Sequence, residues 1–366
     1  MSRAKSSRST GGKVASRAAP RTARTAAQVP SQARAPNARR SKPPATLPDV
    51  ARVVSTAGPS SSVKGRIVAG CLAPHPPHLV YADNPPQNEA RSEGGWETIR
   101  WGYERLRHSL SRRDYDVIIV HSPHWRTRVG HHFLGVPHLK NVSVDPIFPN
   151  LFRYHYGIDV DVDLARDIHG RAAKKGLVAK MMENPQFRVD YGTIAACHLV
   201  NPKWDKPIVG ISSCRVYNDY SNEVGQEQMR ALGQATREAV EASGKRALLL
   251  ASNSISHRHF TREPKVPEDM SHEHIYHHGQ SLWDMHAIGL ARDGKARQLF
   301  DELPDLIDQA TSEADAGCLS WLLAALDYPD YSAELHGYGT VIGTGNAVLE
   351  WDPDPKTRQV TPRVMT

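Results

Sequence analysis

The 366-residue chain has only four cysteines, Cys71, Cys197, Cys214 and Cys318, and no two of them stand at C-x-x-C spacing. That excludes a disulfide framework and a zinc knuckle, and it suits a reducing compartment. No apolar stretch near the amino terminus could form the core of a secretory signal, and no segment approaches membrane-spanning length. A cytoplasmic protein with no membrane partner is the expectation. Acidic residues are almost missing from the first 65 positions, where Asp49 alone faces 13 Lys and Arg. From Arg66 onward the balance reverses, to 33 basic against 38 acidic residues. The basic excess therefore belongs to residues 1–65, rich in Arg, Ser, Ala and Pro and without aliphatic periodicity. Such a composition cannot bury enough apolar surface to offset its ordering entropy, so a disordered basic tail is expected ahead of one folded domain over residues 66–366. The tail's composition also suits a transit peptide or a polyanion-binding arm. It lacks aromatic interleaving and any nucleic-acid motif, so an inert extension is the default and nucleic acid is not an expected partner.

What the folded part does contain is a series of short apolar runs, rich in Val, Ile and Leu, separated by helical patterns. Arg66–Leu72, Asp116–Val120, Pro207–Ile211, Ala247–Ala251, Gly339–Gly343 and Ala347–Trp351 read as strands. Between two of them, Met229, Leu232, Thr236, Ala239 and Val240 recur at helical spacing within Gln226–Ser243, an amphipathic covering helix. Gly94–His108 carries a second, partly helical pattern. Strands alternating with helices imply an α/β fold, three layers α/β/α around a central mixed sheet.

Three of the strand runs lead directly into histidines: Pro74-His75-Pro76-Pro77-His78, His121-Ser122-Pro123-His124-Trp125 and Ser252-Asn253-Ser254-Ile255-Ser256-His257-Arg258-His259. Proline is expected to stop the first two ladders. In an open α/β sheet, ligands gather at the carboxyl ends of strands, so imidazoles delivered there can converge on a metal or a proton-transfer site. A lone loop histidine is more often simply solvated, and convergence from three strands weakens that reading. If Leu306–Gly317 is helical, Leu306, Ala310, Glu313 and Gly317 share one face, so Glu313 points inward. A buried carboxylate must be paired, hydrogen-bonded or metal-bound. An ion pair with a buried Arg and a metal site are equally compatible with the sequence. Two imidazoles and one carboxylate on one face of a metal suit non-haem Fe(II), and zinc would tolerate the same donors as a hydrolase. The tract His272, His274, His277 and His278, with His286 beyond it, follows no strand and lacks the Glu of a metalloprotease motif. Gly343-Thr344-Gly345-Asn346 reads as a tight turn.

These segments, together with Asp190-Tyr191-Gly192-Thr193 and Gly337-Tyr338-Gly339-Thr340, resemble the class III extradiol ring-cleavage dioxygenases from about Arg66 to Trp351. The resemblance implies Fe(II) as cofactor, with His75, His124 and Glu313 as its ligands. It also implies His257 as the acid/base group in contact with substrate, and Tyr191 as a second residue that contacts substrate. The nearest branch of the family acts on 2-aminophenols and yields a product of the 2-aminomuconate 6-semialdehyde type; a catechol or protocatechuate is the alternative substrate. A zinc-containing or metal-free binding homologue is the alternative class. With every ligand position filled, the chain resembles a catalytic subunit, and a homologous noncatalytic α subunit or a second copy is the expected partner. Arg258 departs from the aromatic residue expected beside the catalytic histidine.

Overall fold

The computed structural model describes residues 63–81, 96–146, 149, 152–214, 222–259 and 274–358. Residues 1–62 of the expected tail, and His272, lie outside them.

Ten strands and seven α-helices are described: β1 (Arg66–Leu72), α1 (Trp96–Leu110), β2 (Val117–Thr127), β3 (His131–Leu134), β4 (His138–Val144), β5 (Arg153–Asp159), α2 (Val162–Lys174), β6 (Ala179–Met182), α3 (Tyr191–Val200), β7 (Ile208–Cys214), α4 (Asn222–Ser243), β8 (Arg246–Ala251), α5 (His278–Arg292), α6 (Ala296–Ala310), α7 (Gly317–Ala325), β9 (Glu334–Val341) and β10 (Thr344–Trp351). Eight strands form one sheet in the order β6-β3-β7-β2-β8-β1-β10-β9, and β4 pairs β5 in a separate hairpin. β7, β2, β8 and β1 run parallel, whereas β10 joins β1, and β9 joins β10, antiparallel. The mixed sheet is thus as the sequence implies.

Strand side chains alternate between two separate cores. Val117, Ile119, Ala247 and Leu249 face the layer of α2, α4, α5, α6 and α7. Ile118, Val120, Leu248 and Leu250 face α1, α3 and the β4–β5 hairpin. Burial on both faces explains why these central strands are nearly continuous apolar runs. The helical register of α4 also holds: Met229, Leu232, Ala239 and Val240 are buried, and Thr236 belongs to that face because it accepts from Trp321 Nε1 at 3.0 Å while donating to Leu232 O.

Three expectations need correction. Pro123 does not end β2. The strand continues to Thr127, and its pairing with β7 jumps from Ser122↔Ser212 to Arg126↔Ser213, so Pro123, His124 and Trp125 form a bulge. A proline can occupy a bulge because no ladder donor is needed there. Nor does Glu313 lie on a continuous helix: α6 ends at Ala310, Thr311 is left-handed (φ 53°), and Glu313 is followed by a left-handed turn over Ala314, Asp315 and Ala316 before α7. The turn expected at Gly343-Thr344-Gly345-Asn346 lies earlier, at Ile342-Gly343, because Thr344, Gly345 and Asn346 already pair with β9 as the start of β10. Ile342 (φ 50°) and Gly343 (φ 85°) both have positive φ, as a two-residue hairpin turn requires.

Candidate metal centre

Because β2, β8 and β1 are adjacent and parallel, their carboxyl ends open on one edge of the sheet. His75 leaves β1 three residues past its end, in a buried turn where Tyr103 donates to Pro74 O. Its Nδ1 lies 3.0 Å from Ser252 Oγ, just past β8, and Ser252 Oγ donates to Gly192 O at 2.9 Å. The one hydroxyl hydrogen is thereby committed, so Ser252 accepts from His75 Nδ1–H and leaves Nε2 with its lone pair. His124 is re-aimed by the bulge. Asp190 caps α3 through Thr193 N (2.9 Å) and accepts from Ser122 Oγ (2.5 Å), locking that helix end to β2. Tyr191, the first residue of α3, then places its hydroxyl 2.9 Å from His124 Nε2. Glycine at 192 is required by proximity: a Cβ there would stand 2.8 Å from Ser122 Oγ and 3.1 Å from His124 Cδ2.

Glu313 is brought in by the broken helix. Ser256 bridges Ser312, and His257 N donates to Thr311 O at 3.0 Å, tying the loop after β8 to the segment after α6. The carboxylate divides its two oxygens. Oε1 faces His124 Nε2 at 3.1 Å and His75 Nε2 at 3.4 Å. Oε2 accepts from Ser254 N at 2.7 Å and Ser254 Oγ at 3.0 Å. His75, His124 and Glu313 are the one group among the described residues whose donors fit a metal ion, all within 4.8 Å of one another. Donors about 2.1 Å from a common ion, at right angles, stand about 3 Å apart, so the observed separations suit an ion with these three groups on one face.

His257 lies beside the three, its Nε2 at 3.8 Å from Glu313 Oε1, and its imidazole is partly exposed. Burial pushes its pKa down to about 4 against the opposing pull of Glu313, so it is neutral at pH 7. Burial also disfavours charge on His75, but Glu313 outweighs it and the net shift is upward. For Glu313, burial alone would raise the pKa, and the surrounding imidazoles hold it well below the usual carboxylate range. The Tyr191 phenol is pushed far up by burial and by Glu313, so it remains a hydrogen-bond donor. A cavity opens on this cluster, lined among others by His75, Tyr191, His257 and His259, with Asp145 and Asn346 as further polar groups.

The structure thus brings together all five residues singled out from the sequence. It does not bring in the histidine tract: His274 is exposed, and His277 caps α5 through Gly279 N. His121 points to the opposite face of β2, against Trp321. Sequence reasoning missed the roles of Ser252, Ser254 and Asp284. Asp284 is fully buried on α5 and accepts from Ser256 N, Ser256 Oγ and Tyr338 Oη at 2.7–3.0 Å, which fixes the His257 loop from behind. The spacing of Ser252, Ser254 and Ser256 at a strand end was the available signal for the serines; Asp284, a lone acid in a helix, gave none.

A family comparison gives the class of this site. The family described as the catalytic LigB subunit of aromatic ring-opening dioxygenase matches residues 69–349, most of the chain, and the chain belongs to it. Among individual proteins, a 2-aminophenol 1,6-dioxygenase beta subunit from Pseudomonas sp is 55% identical over 79% of this chain and 94% of its own length. The corresponding alpha subunit from Pseudomonas sp is 25% identical over 70% of this chain and 91% of its own. A 3,4-dihydroxyphenylacetate 2,3-dioxygenase of Escherichia coli is 23% identical over 74% and 94%. A crystal structure of the uncharacterized protein JW3007 from Escherichia coli K12 shares the fold, with a TM-score of 0.52 and 16% identity over 77% of this chain and 99% of that one. The protein is therefore a ring-cleaving dioxygenase of the extradiol type.

Proposed function

We propose that this chain is the catalytic subunit of an enzyme that opens the ring of a 2-aminophenol with O2, using Fe(II) held by His75, His124 and Glu313. The observation that carries the reading is the convergence of two imidazole Nε2 atoms on one oxygen of Glu313, at 3.4 and 3.1 Å, beside a cavity that Tyr191 and His257 also line. The 55% identity to a 2-aminophenol 1,6-dioxygenase beta subunit supports the substrate. Fe(II) in this position would leave neighbouring sites for the ring heteroatoms and for O2, and would pass electron density between them. His257, neutral at pH 7 and beside the carboxylate, accepts a proton from the bound hydroxyl or amino group and returns it as the ring opens. Tyr191, whose hydroxyl lies 2.9 Å from His124 Nε2 on the cavity wall, donates to the bound substrate. Both oxygen atoms enter the product, which is of the 2-aminomuconate 6-semialdehyde type.

By the same reasoning the partner is a homologous α subunit, and the compartment is the cytoplasm. Among the described residues no helix is long and apolar enough to cross a membrane. The domain is assigned to residues 66–366, behind a basic tail of residues 1–65.

Anaerobic purification with metal analysis, then O2 uptake against 2-aminophenol and catechol, tests the proposal. The expected result is about one iron per chain and faster turnover of 2-aminophenol. Preferential catechol turnover would overturn the substrate, and tightly held zinc with no O2 uptake would overturn the redox reading.

A further inference from the structure

A histidine that accepts a proton from substrate must present a lone pair, and the structure contains a reason why His257 does so on the correct side. A neutral imidazole carries one N–H, so Nε2 can accept only when Nδ1 holds the hydrogen. His257 Nδ1 lies 2.7 Å from Ser254 Oγ. Ser254 Oγ lies 3.0 Å from Glu313 Oε2, an oxygen that can only accept. The single hydroxyl hydrogen of Ser254 goes to the carboxylate, and Oγ is left to accept from His257 Nδ1–H. Nε2 then keeps its lone pair on the edge of the ring that faces Glu313 Oε1 and, at 3.2 Å, His259 Nε2. Ser254 is buried, so bulk water does not compete for its hydroxyl, and its backbone N–H binds the same carboxylate oxygen at 2.7 Å.

We propose that Ser254 is a positioning residue for ring cleavage: its hydroxyl, anchored on the Glu313 oxygen that faces away from the other two ligands, fixes His257 as the Nδ1–H tautomer. The inference rests on the reading of His257 as the acid/base group. It makes Glu313 bifunctional, one oxygen toward the metal and the other, through Ser254, orienting the base. The backbone bond from Ser254 to Glu313 survives any side-chain substitution, so the carboxylate keeps its place when the hydroxyl is removed.

The test compares Ser254→Ala and Ser254→Thr with wild type. In iron-free protein, long-range proton–nitrogen correlations of the imidazoles show which nitrogen of His257 carries the hydrogen, with His257→Asn identifying its signals. The expected result is Nδ1–H in wild type and Ser254→Thr, and a mixture or Nε2–H in Ser254→Ala. With Fe(II) loaded, Ser254→Ala should retain its iron and its KM while kcat falls about ten- to a hundredfold, and Ser254→Thr should recover most of it. Nε2–H in wild type, an unchanged tautomer in Ser254→Ala, or loss of iron with no change of tautomer would each overturn the proposal. Absence of ring cleavage by wild-type enzyme removes the substrate reading instead, and the tautomer measurement is untouched by it.

Discussion

At the residue scale, two of the three donor groups, His75 and Glu313, are oriented by a hydrogen bond on their other side. Ser252 presents His75 Nε2, and Ser254 N–H holds Glu313 by Oε2 so that Oε1 faces the imidazoles. Removing one ligand leaves two donors, too few for a stable site. His75→Ala, His124→Ala and Glu313→Ala should each purify with iron content close to background, and full occupancy in any of them would refute its assignment. Tyr191→Phe removes only the hydroxyl that stands 2.9 Å from His124 Nε2 at the edge of the cavity. That variant should keep its iron and lose about tenfold in kcat/KM, the equivalent of one hydrogen bond of about 1.4 kcal/mol. Unaltered kinetics would show that the phenol makes no contact that matters to the reaction.

At the scale of elements, the site is assembled by interruptions of regular structure: a bulge in β2, a break between α6 and α7, and a helix start at Tyr191. Three successive residues, Ala314, Asp315 and Ala316, hold φ of 46°, 52° and 51° directly after Glu313. A side chain costs about 1 kcal/mol in that region, so strain is concentrated beside the carboxylate. Ala314→Gly should relieve one such residue and raise the melting temperature by a few degrees with iron still bound; a lower melting temperature would show that the turn is not strained there. The opposite outcome is expected at the start of α3. Gly192→Ala would push a methyl against Ser122 Oγ and the His124 ring, and a drop in iron affinity of about tenfold or more, read by competition with a chelator, is the expected result.

At the scale of the whole molecule, acid sensitivity is built into the sheet. His121 and His131 are fully buried around Ser212 O, and burial pushes their pKa values down to about 3 and about 4, against about 6.5 in an unfolded chain. The folded state therefore binds fewer protons, and stability present above about pH 6.5 is lost progressively as pH falls toward 3. Asp284 acts in the opposite sense, because burial raises its carboxyl to about 6 and the folded state takes up its proton first. Two histidines outweigh one carboxyl, so the unfolding free energy from urea titration should fall steadily from pH 7.5 to 5, by an amount on the order of a few kcal/mol. A flat profile would refute the assignment of neutral buried imidazoles. A chain beginning at Val63 should retain both melting temperature and ring cleavage, since the family match begins at residue 69. A loss of either on truncation would show that residues 1–62 contribute to the folded enzyme.

The sequence by itself determined the sheet and its layers, because strands such as Val117–Val120 and Leu248–Leu250, buried on both faces, must be apolar at every position. It also singled out His75, His124 and His257 as imidazoles that follow strand runs and Glu313 as an acid among apolar neighbours, each legible in its own segment, whereas Tyr191 came only with the family resemblance. Only the tertiary structure decided how they meet. The bulge at Pro123 and the helix break at Thr311 depend on pairing with Ser212 and Ser256, residues 89 and 55 positions away, and no local periodicity encodes such partners. The same holds for Ser252, Ser254 and Asp284. A serine or a buried aspartate has no local signature of its role, because that role is a hydrogen bond whose other end is supplied by a distant part of the chain.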